Sequence, residues 1–414
     1  MSKKTAIVIV TVFVLLVAGG LLAFYFYTNR GQGSNIAPDE NTSSIFPNTG
    51  GAGTASPGSS AGNETINTET GTGNSEVAPL LKELSTRPSA GAGFVATTTK
   101  ALLVRFVEKG TGNVYEVGPE ISEESRVTNT TIPKIAEAFW NRDASRFIAR
   151  YTKAGEPDNI QSYYAQILPP VSGQPDGTIQ GSFLTENIKT LATSPDQSRI
   201  FYLVTHSQGS TGVTAEFDGS KKTQVFDSPL EEWLSQWATP STVTLTTKPS
   251  AGTPGLMFLL NTKNGSLTKV ISGIKGLTTL LNPSGSAVLY SESSQGGLLL
   301  KIYSLVKSEP VEVSVQTLPE KCLWSKNEPD ILYCAVPYYL PEATYPDAWY
   351  QGEVSFSDDI WKIDAATGTG ELLARLKPVT RKDIDATNFF MDTKEDYLFF
   401  TDKNDSHVWS LRLP

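Results

Sequence analysis

The sequence predicts an all-β chain whose 78–414 region closes into a β-propeller. Three observations carry that prediction. From residue 78 onward, short β-type runs alternate with turn residues, and helical periodicity is nearly absent. A turn followed by an apolar strand returns seven times, anchored on Leu103, Phe147, Ile200, Val243, Val288, Ile331 and Tyr397. Beyond most anchors, at 12 to 17 residues, a further strand carries an aromatic residue: Tyr115, Tyr163, Phe217, Phe258, Tyr303 and Trp409.

Successive anchors lie 44, 53, 43, 45, 43 and 66 residues apart. Four of the six intervals match one four-stranded blade of ~40–50 residues. Seven blades follow; the degenerate turns before Leu103 and Val243 leave six or eight open. In the sixth repeat the aromatic match is Trp361, 30 residues past its anchor, which marks an insertion. A lone four-stranded blade exposes both edges, and packing blades face to face around an axis buries their faces. The ring also needs a join. "APLLKEL" (78–84) resembles the outer strand "GELLARL" (370–376), while the last repeat ends at "HVWSLRLP" without a fourth strand. The N-terminal segment is therefore expected to complete the last blade. "SPLEEWLSQW" (228–237) opens with a Ser-x-x-Glu capping box and is expected to be a short helix. "LPPVSGQPDGTIQGSF" (168–183) is expected to be an extended connection within a blade.

Ahead of the repeats, Lys3 and Lys4 precede an uncharged apolar run from 6 to 27. That length suits a helix crossing ~30 Å of hydrocarbon. The run ends in Phe24, Tyr25, Phe26 and Tyr27, an interfacial belt rather than a cleavage site. The expected organisation is an anchor at 1–30, a disordered Gly/Ser/Thr/Asn-rich linker at 31–77 and the propeller at 78–414. Two lysines before the run against Arg30 after it place the N-terminus in the cytoplasm and the propeller outside. "GSSAG" (58–62) matches a hydrolase elbow formally but lacks the strand and helix that elbow needs.

The turns "SPDQSRIFYLV" and "NPSGSAVLYS", followed by "KIYSL" or "DIWKID", resemble the WD-like repeats of TolB-type bacterial propellers. The resemblance covers roughly 78–414. Anchor, polar stalk and degenerate propeller together resemble membrane-anchored bacterial propeller proteins. The resemblance implies a fold and a topology. It implies no activity, because propellers carry binding modules and enzymes alike.

Composition narrows the chemistry. A net charge of −9 without a basic cluster argues against nucleic acid. The two histidines, His206 and His407, fall at strand edges and are expected to be solvated turn residues. "DKNDSH" (402–407) mimics the start of a calcium loop but lacks its glycine and distal glutamate, so a hairpin turn is expected. Asp358 and Asp359 are expected to be solvated where a strand begins. No metal, cofactor or catalytic residue is nominated. Cys322 and Cys334, the only cysteines, sit symmetrically about Glu328. In a hairpin they face each other, and a cross-strand disulfide is expected outside the cytoplasm.

The insertion "VPYYLPEATYPDAWYQGEVSF" (336–356) supplies the candidate binding residues Tyr338, Tyr339, Tyr345, Trp349 and Tyr350. Exposed tyrosine and tryptophan anchor protein interfaces and provide flat platforms for sugars. The alternative is that the loop folds back and buries its own rings. The expected function is non-catalytic: protein or glycan binding, or scaffolding, at the cell envelope. The alternative is a propeller enzyme, glycoside-active or lactonase-like, using the central channel.

Overall fold

The computed structural model describes residues 80–95, 102–121, 123–153 and 156–414. The expected anchor, the linker and the GSSAG stretch lie outside the described residues. Among the described residues, no helix is long and apolar enough to cross a membrane.

Seven four-stranded antiparallel sheets form the fold. β1 (Leu81–Glu83) comes first among the described elements and last in the ring. Blade 1 is β2 (Ser89–Val95), β3 (Leu103–Glu108), β4 (Val114–Val117) and β5 (Ser125–Arg126). Blade 2 is β6 (Glu137–Trp140), β7 (Arg146–Lys153), β8 (Glu156–Leu168) and β9 (Thr178–Phe183). Blade 3 is β10 (Ile188–Thr193), β11 (Arg199–His206), β12 (Gly209–Glu216) and β13 (Thr223–Ser228). Blade 4 is β14 (Trp233–Thr239), β15 (Thr242–Thr247), β16 (Pro254–Asn261) and β17 (Leu267–Lys275). Blade 5 is β18 (Thr279–Leu281), β19 (Ala287–Ser294), β20 (Gly297–Ser304) and β21 (Pro310–Glu312). Blade 6 is β22 (Cys322–Trp324), β23 (Ile331–Pro337), β24 (Asp358–Asp364) and β25 (Gly370–Arg375). Blade 7 is β26 (Ala386–Met391), β27 (Tyr397–Asp402) and β28 (Val408–Arg412), completed by β1.

Every one of the seven anchors lies in the second strand of its blade. The aromatic column falls in or just after the third strands, with Phe217 one residue past β12. β1 pairs antiparallel with β28, Leu81 opposite Leu411 and Glu83 opposite Trp409, so the ring closes with the strand expected. Seven buried clusters fill the seven interfaces between blades. This is the burial of both faces that an isolated blade cannot achieve.

Each interface is also joined by a hydrogen bond. Trp140 Nε1 donates to Gly91 O between blades 1 and 2 (3.0 Å), and Arg150 to Ile188 O between 2 and 3 (2.9 Å). Thr190 and Ser235 hydroxyls meet at 3.0 Å between blades 3 and 4, and Leu281 N donates to Gln236 Oε1 at 3.0 Å between 4 and 5. Trp324 Nε1 reaches Leu280 O (3.2 Å), Lys321 reaches Ala386 O (3.0 Å), and Ser89 N reaches Ser406 O (2.8 Å) across the last three interfaces. β2 approaches β6 so closely that a Cβ on Gly91 would stand 2.1 Å from Ala138 O. Only glycine fits there.

Two expectations are corrected. The 228–237 stretch is not a helix: Ser228 ends β13, opposite Ser210, and Trp233 begins β14. The Ser228 hydroxyl accepts from Leu230 N in a local turn, and Trp233 and Trp237 are buried in the blade 3–4 cluster. Interblade burial of both rings outweighs a weak capping signal. The second half of the 168–183 connection is a strand, β9, the outer strand of blade 2.

Candidate functional site

The ring has two distinct ends. The first strands end on one face, where each turns into its second strand. The other face carries the starts of the first strands and the connections between second and third strands, including the blade 6 insertion.

On the insertion face, a 310 turn over Pro319–Lys321 leads into β22 and places Lys321 in the interior. The Lys321 ammonium pairs with Asp358 Oδ2 at 2.7 Å and with Asp385 Oδ1; all three side chains are buried. Asp385 also accepts from Trp349 Nε1 (2.9 Å) and Phe356 N (3.1 Å), while Asp358 accepts from Ala386 N (2.7 Å). Burial pushes the Asp358 carboxyl up to about 7; Lys321 opposes that rise and Asp385 adds to it. Asp358 is thus no solvated residue at the start of a strand. It belongs to a buried charge cluster shared by blades 6 and 7. Asp359 is buried as well and accepts from Leu376 N at 3.2 Å.

This cluster holds the insertion down. A short helix, α1 (Asp347–Tyr350), crosses the face with Trp349 on its underside. Asp347 accepts from Ala251 N of blade 4 (2.8 Å), and Ser293 of blade 5 donates to Tyr345 O. Lys403 of blade 7 donates to Trp349 O (2.6 Å) and lies 4.1 Å from the centre of its indole ring. Tyr350 donates to Glu320, which also accepts from Thr278 at 2.9 Å. Burial raises the Glu320 carboxyl above its ordinary range. The insertion is therefore a cap seated on four blades, with its own core of Leu298, Leu318, Tyr345, Trp349 and Phe356.

Of the five candidate binding residues, Tyr345 and Trp349 are 1% and 5% exposed and serve as core of the cap. Tyr350 is half-exposed, its hydroxyl spent on Glu320. Tyr338 and Tyr339 are 79% and 72% exposed. Cys322 and Cys334 face each other in register with Cα atoms 4.1 Å apart and form the expected disulfide. His206 is exposed, as expected. His407 is not merely solvated, since its Nδ1 lies 2.6 Å from Glu83 Oε1 across the ring join.

The opposite face carries the axial cavity, about 620 Å3. Its walls come from blades 1, 2, 3, 6 and 7, so it lies at the mouth of the central channel. Half-buried Phe94, Leu323, Phe389, Phe390 and Met391 supply apolar surface. Three acids line it, and each is committed to a turn. Asp196 takes the Ser194 hydroxyl at 2.6 Å and the Ser198 hydroxyl at 2.8 Å, which hold its carboxyl below the ordinary range. Asp392 takes Tyr397 N at 2.8 Å and Lys394 N at 3.1 Å. Glu395 bridges to blade 6, taking the Ser325 hydroxyl and Lys326 N, both at 2.6 Å. Arg142 and Lys326 also line the cavity, and no side-chain hydrogen bond or ion pair engages either among the described residues. The mouth thus offers apolar rings and two free cationic donors, a pattern of ligand sites.

Sequence reasoning missed Arg142 and Lys326. A signal existed: Arg142, Pro195, Lys326 and Thr393 each stand two residues past the end of a first strand, in "WNRD", "TSPD", "WSKN" and "MDTK". Equivalent positions in a ring face the same opening.

The fold defines a class, the seven-bladed β-propellers. No protein-family model matches the chain, and no curated protein does. Among solved structures it is similar to an oligogalacturonate lyase in complex with manganese, at 11% identity and a TM-score of 0.51, covering 79% of this chain and 90% of that one. An oligogalacturonate lyase from Vibrio parahaemolyticus follows at 13% identity and TM-score 0.49, over 80% and 91% of the two chains. A TolB-type structure from Agrobacterium tumefaciens is similar at 10% identity and TM-score 0.38, over 55% and 81%. These likenesses concern the fold. They correct the expectation of a non-catalytic protein, because the architecture is one that solved enzymes share.

Among the described residues, one grouping of three potential ligands occurs: Glu83, Asp405 and His407, at the ring join on the insertion face. Lys382 already places its ammonium 2.8 Å from Glu83 Oε1 and 3.6 Å from Asp405 Oδ2. With that ammonium in place, this grouping does not fit a metal centre.

Proposed function

We propose that the protein is a carbohydrate-active propeller that takes an acidic oligosaccharide at the mouth of its central channel. One observation carries the reading. Arg142 and Lys326 border a 620 Å3 cavity lined by phenylalanine rings, and no side-chain hydrogen bond or ion pair engages either cation among the described residues. Phe94, Phe389 and Phe390 offer faces for pyranose rings, and the two cations offer donors for a sugar carboxylate. The turn carboxylates hold the walls in place while the cations stay available. The insertion sits over blades 4 to 7 at the opposite end of the ring.

The proposal extends to location. Membrane attachment through 6–27, with the propeller outside the cytoplasm, suits a glycan ligand and is supported by the Cys322–Cys334 disulfide, a bond that persists in oxidising compartments. The test uses the full chain with oligogalacturonides, the sugar named for the fold neighbour, and with other uronic-acid oligosaccharides. Calorimetry reads binding; release of unsaturated products and new reducing ends reads turnover. Binding weakened at least tenfold in Arg142→Ala/Lys326→Ala, and falling as salt rises, is the expected outcome. Equal affinity in the wild type and the double variant sinks the assignment of the mouth, and no product from any acidic glycan sinks the catalytic part.

A further inference from the structure

A second concavity lies away from the axis, between blades 5 and 6, and it has a different chemistry. Its volume is about 840 Å3. One wall is the stretch from Glu312 to Gln316, running on from the outer strand of blade 5. The other is the end of β23, the Tyr338–Tyr339 pair, Trp361 and the turn Thr367–Thr369. We infer that this groove is a binding site for a neutral oligosaccharide, with Tyr338 and Tyr339 as its stacking platform.

The rings are presented by a braced support. β23 is tied to β22 by the Cys322–Cys334 bond, three residues before Pro337. Tyr338 N donates to Ser357 O at 2.8 Å, which fixes the backbone just past the strand. The far wall is locked to the near one: Ser314 N donates to Gly368 O at 2.8 Å, and a Cβ on Gly368 would stand 2.2 Å from Glu312 O. Two adjacent tyrosines exposed above 70% on so constrained a backbone are costly surface unless something covers them.

Charge selects the ligand. Among the described residues, no lysine or arginine lines the groove, and its one ionisable acid is Glu312. An anionic sugar or acidic peptide finds no partner there, in contrast to the channel mouth. The polar lining consists of hydroxyl and amide groups: Ser314, Gln316, Thr367 and Thr369. No hydrogen bond engages the Gln316 amide among the described residues. Aromatic faces beside uncharged donors and acceptors suit the alternating CH faces and hydroxyls of a pyranose chain. A proline-rich peptide also uses aromatic grooves but reads few side-chain hydroxyls.

The groove stands independently of the channel mouth. The test is affinity electrophoresis and calorimetry of the full chain with cellohexaose, mannohexaose and maltohexaose, with a proline-rich decapeptide as the competing class. Binding of at least one hexasaccharide is expected, reduced tenfold or more in Tyr338→Ala/Tyr339→Ala. It should survive in Tyr338→Phe/Tyr339→Phe, which keeps both ring faces, and in Arg142→Ala/Lys326→Ala, which alters only the mouth. Unchanged melting temperatures of the exposed-ring variants show that the fold is intact. No binding to any hexasaccharide, equal binding by the Ala variant, or tighter binding of the peptide each overturns the inference. Loss of neutral-sugar binding in the Arg142/Lys326 variant overturns the independence of the two sites.

Discussion

Trp349 Nε1 donates to Asp385 Oδ2 over 2.9 Å, linking the helix of the blade 6 insertion to the start of the first strand of blade 7. Asp385 is anchored in turn by Lys321. One buried carboxylate thus fastens the cap to two blades. Trp349→Ala removes both the bond and the ring from the insertion's core. The expected loss is ~3–5 kcal/mol of unfolding free energy, read by urea denaturation, with new protease cuts between 338 and 357. Trp349→Phe keeps most of the ring volume and forfeits the donor, so a smaller loss of ~1–3 kcal/mol is expected. An Ala variant as stable and as protease-resistant as wild type shows that the cap is not held this way.

Asp358 makes stability depend on pH. Its folded carboxyl is raised from 3.8 to about 7 by burial, with Lys321 opposing and Asp385 reinforcing. A raised folded value means that folding favours the protonated form. The contribution is fully present below the unfolded value near 3.8 and is lost as pH rises through about 7. At ~1.36 kcal/mol per unit, the ceiling on the effect is about 4 kcal/mol. Asp358→Asn retains an oxygen for Lys321 and Ala386 N, and its amide replaces Oδ1, which lacks a partner among the described residues. Denaturant titrations from pH 4.5 to 8 should show a flatter dependence in the variant than in wild type. Parallel curves reject the assignment of the titration to Asp358.

The Cys322–Cys334 bond closes a hairpin of the blade that carries both the cap and the tyrosine pair. For so short a loop, a stabilisation of about 2–3 kcal/mol is expected. The paired variant Cys322→Ala/Cys334→Ala should lower the melting temperature, and reductant should lower that of the wild type by a similar amount. Reductant that leaves the wild-type melting curve unmoved argues against a structural bridge.

The blade pattern was readable because it repeats. A turn, an apolar anchor and an aromatic about fifteen residues on recur wherever a second and a third strand pack between neighbours, so seven weak signals reinforce one another. The cysteines were readable for a local reason, since a hairpin's register places 322 opposite 334. Asp358 was not readable as buried. Its partners, Lys321 and Asp385, lie 37 and 27 positions away along the chain, and the three meet only once blades 6 and 7 pack. Lys321, set between Leu318 and Cys322 at the start of a buried strand, was the hint. The aromatic insertion looked like one platform because sequence cannot tell Trp349, turned inward by the cap, from Tyr338, left outside. The Ser-x-x-Glu box at 228 failed because capping supplies ~1 kcal/mol, less than burial of two tryptophans.

The ring join is the last relationship with a direct test. β1 supplies the outer strand of blade 7 through three paired residues, with Leu81 packed against the blade 6–7 cluster and Leu84 buried between blades 7 and 1. Glu83 adds a polar clasp: it lies 2.6 Å from His407 Nδ1 and 2.8 Å from Lys382 Nζ. Burial works against the Glu83 charge, but His407 and Lys382 together outweigh it and hold the carboxyl below its ordinary range. For this group the sign is the reverse of that for Asp358. The clasp contributes above the unfolded value, 4.5, and is lost as pH falls through the lowered folded value. Half-exposure limits that term to the order of 1 kcal/mol or less, so apolar burial should dominate the join. Leu84→Ala is expected to cost ~2–5 kcal/mol, and Glu83→Gln under 1 kcal/mol. Removing residues up to 86 leaves β28 as an open edge and should lower the melting temperature sharply, with concentration-dependent association through that edge. Calorimetry and light scattering on the three variants check the order. A truncated chain that melts with the wild type shows that the remaining strands close the ring without β1.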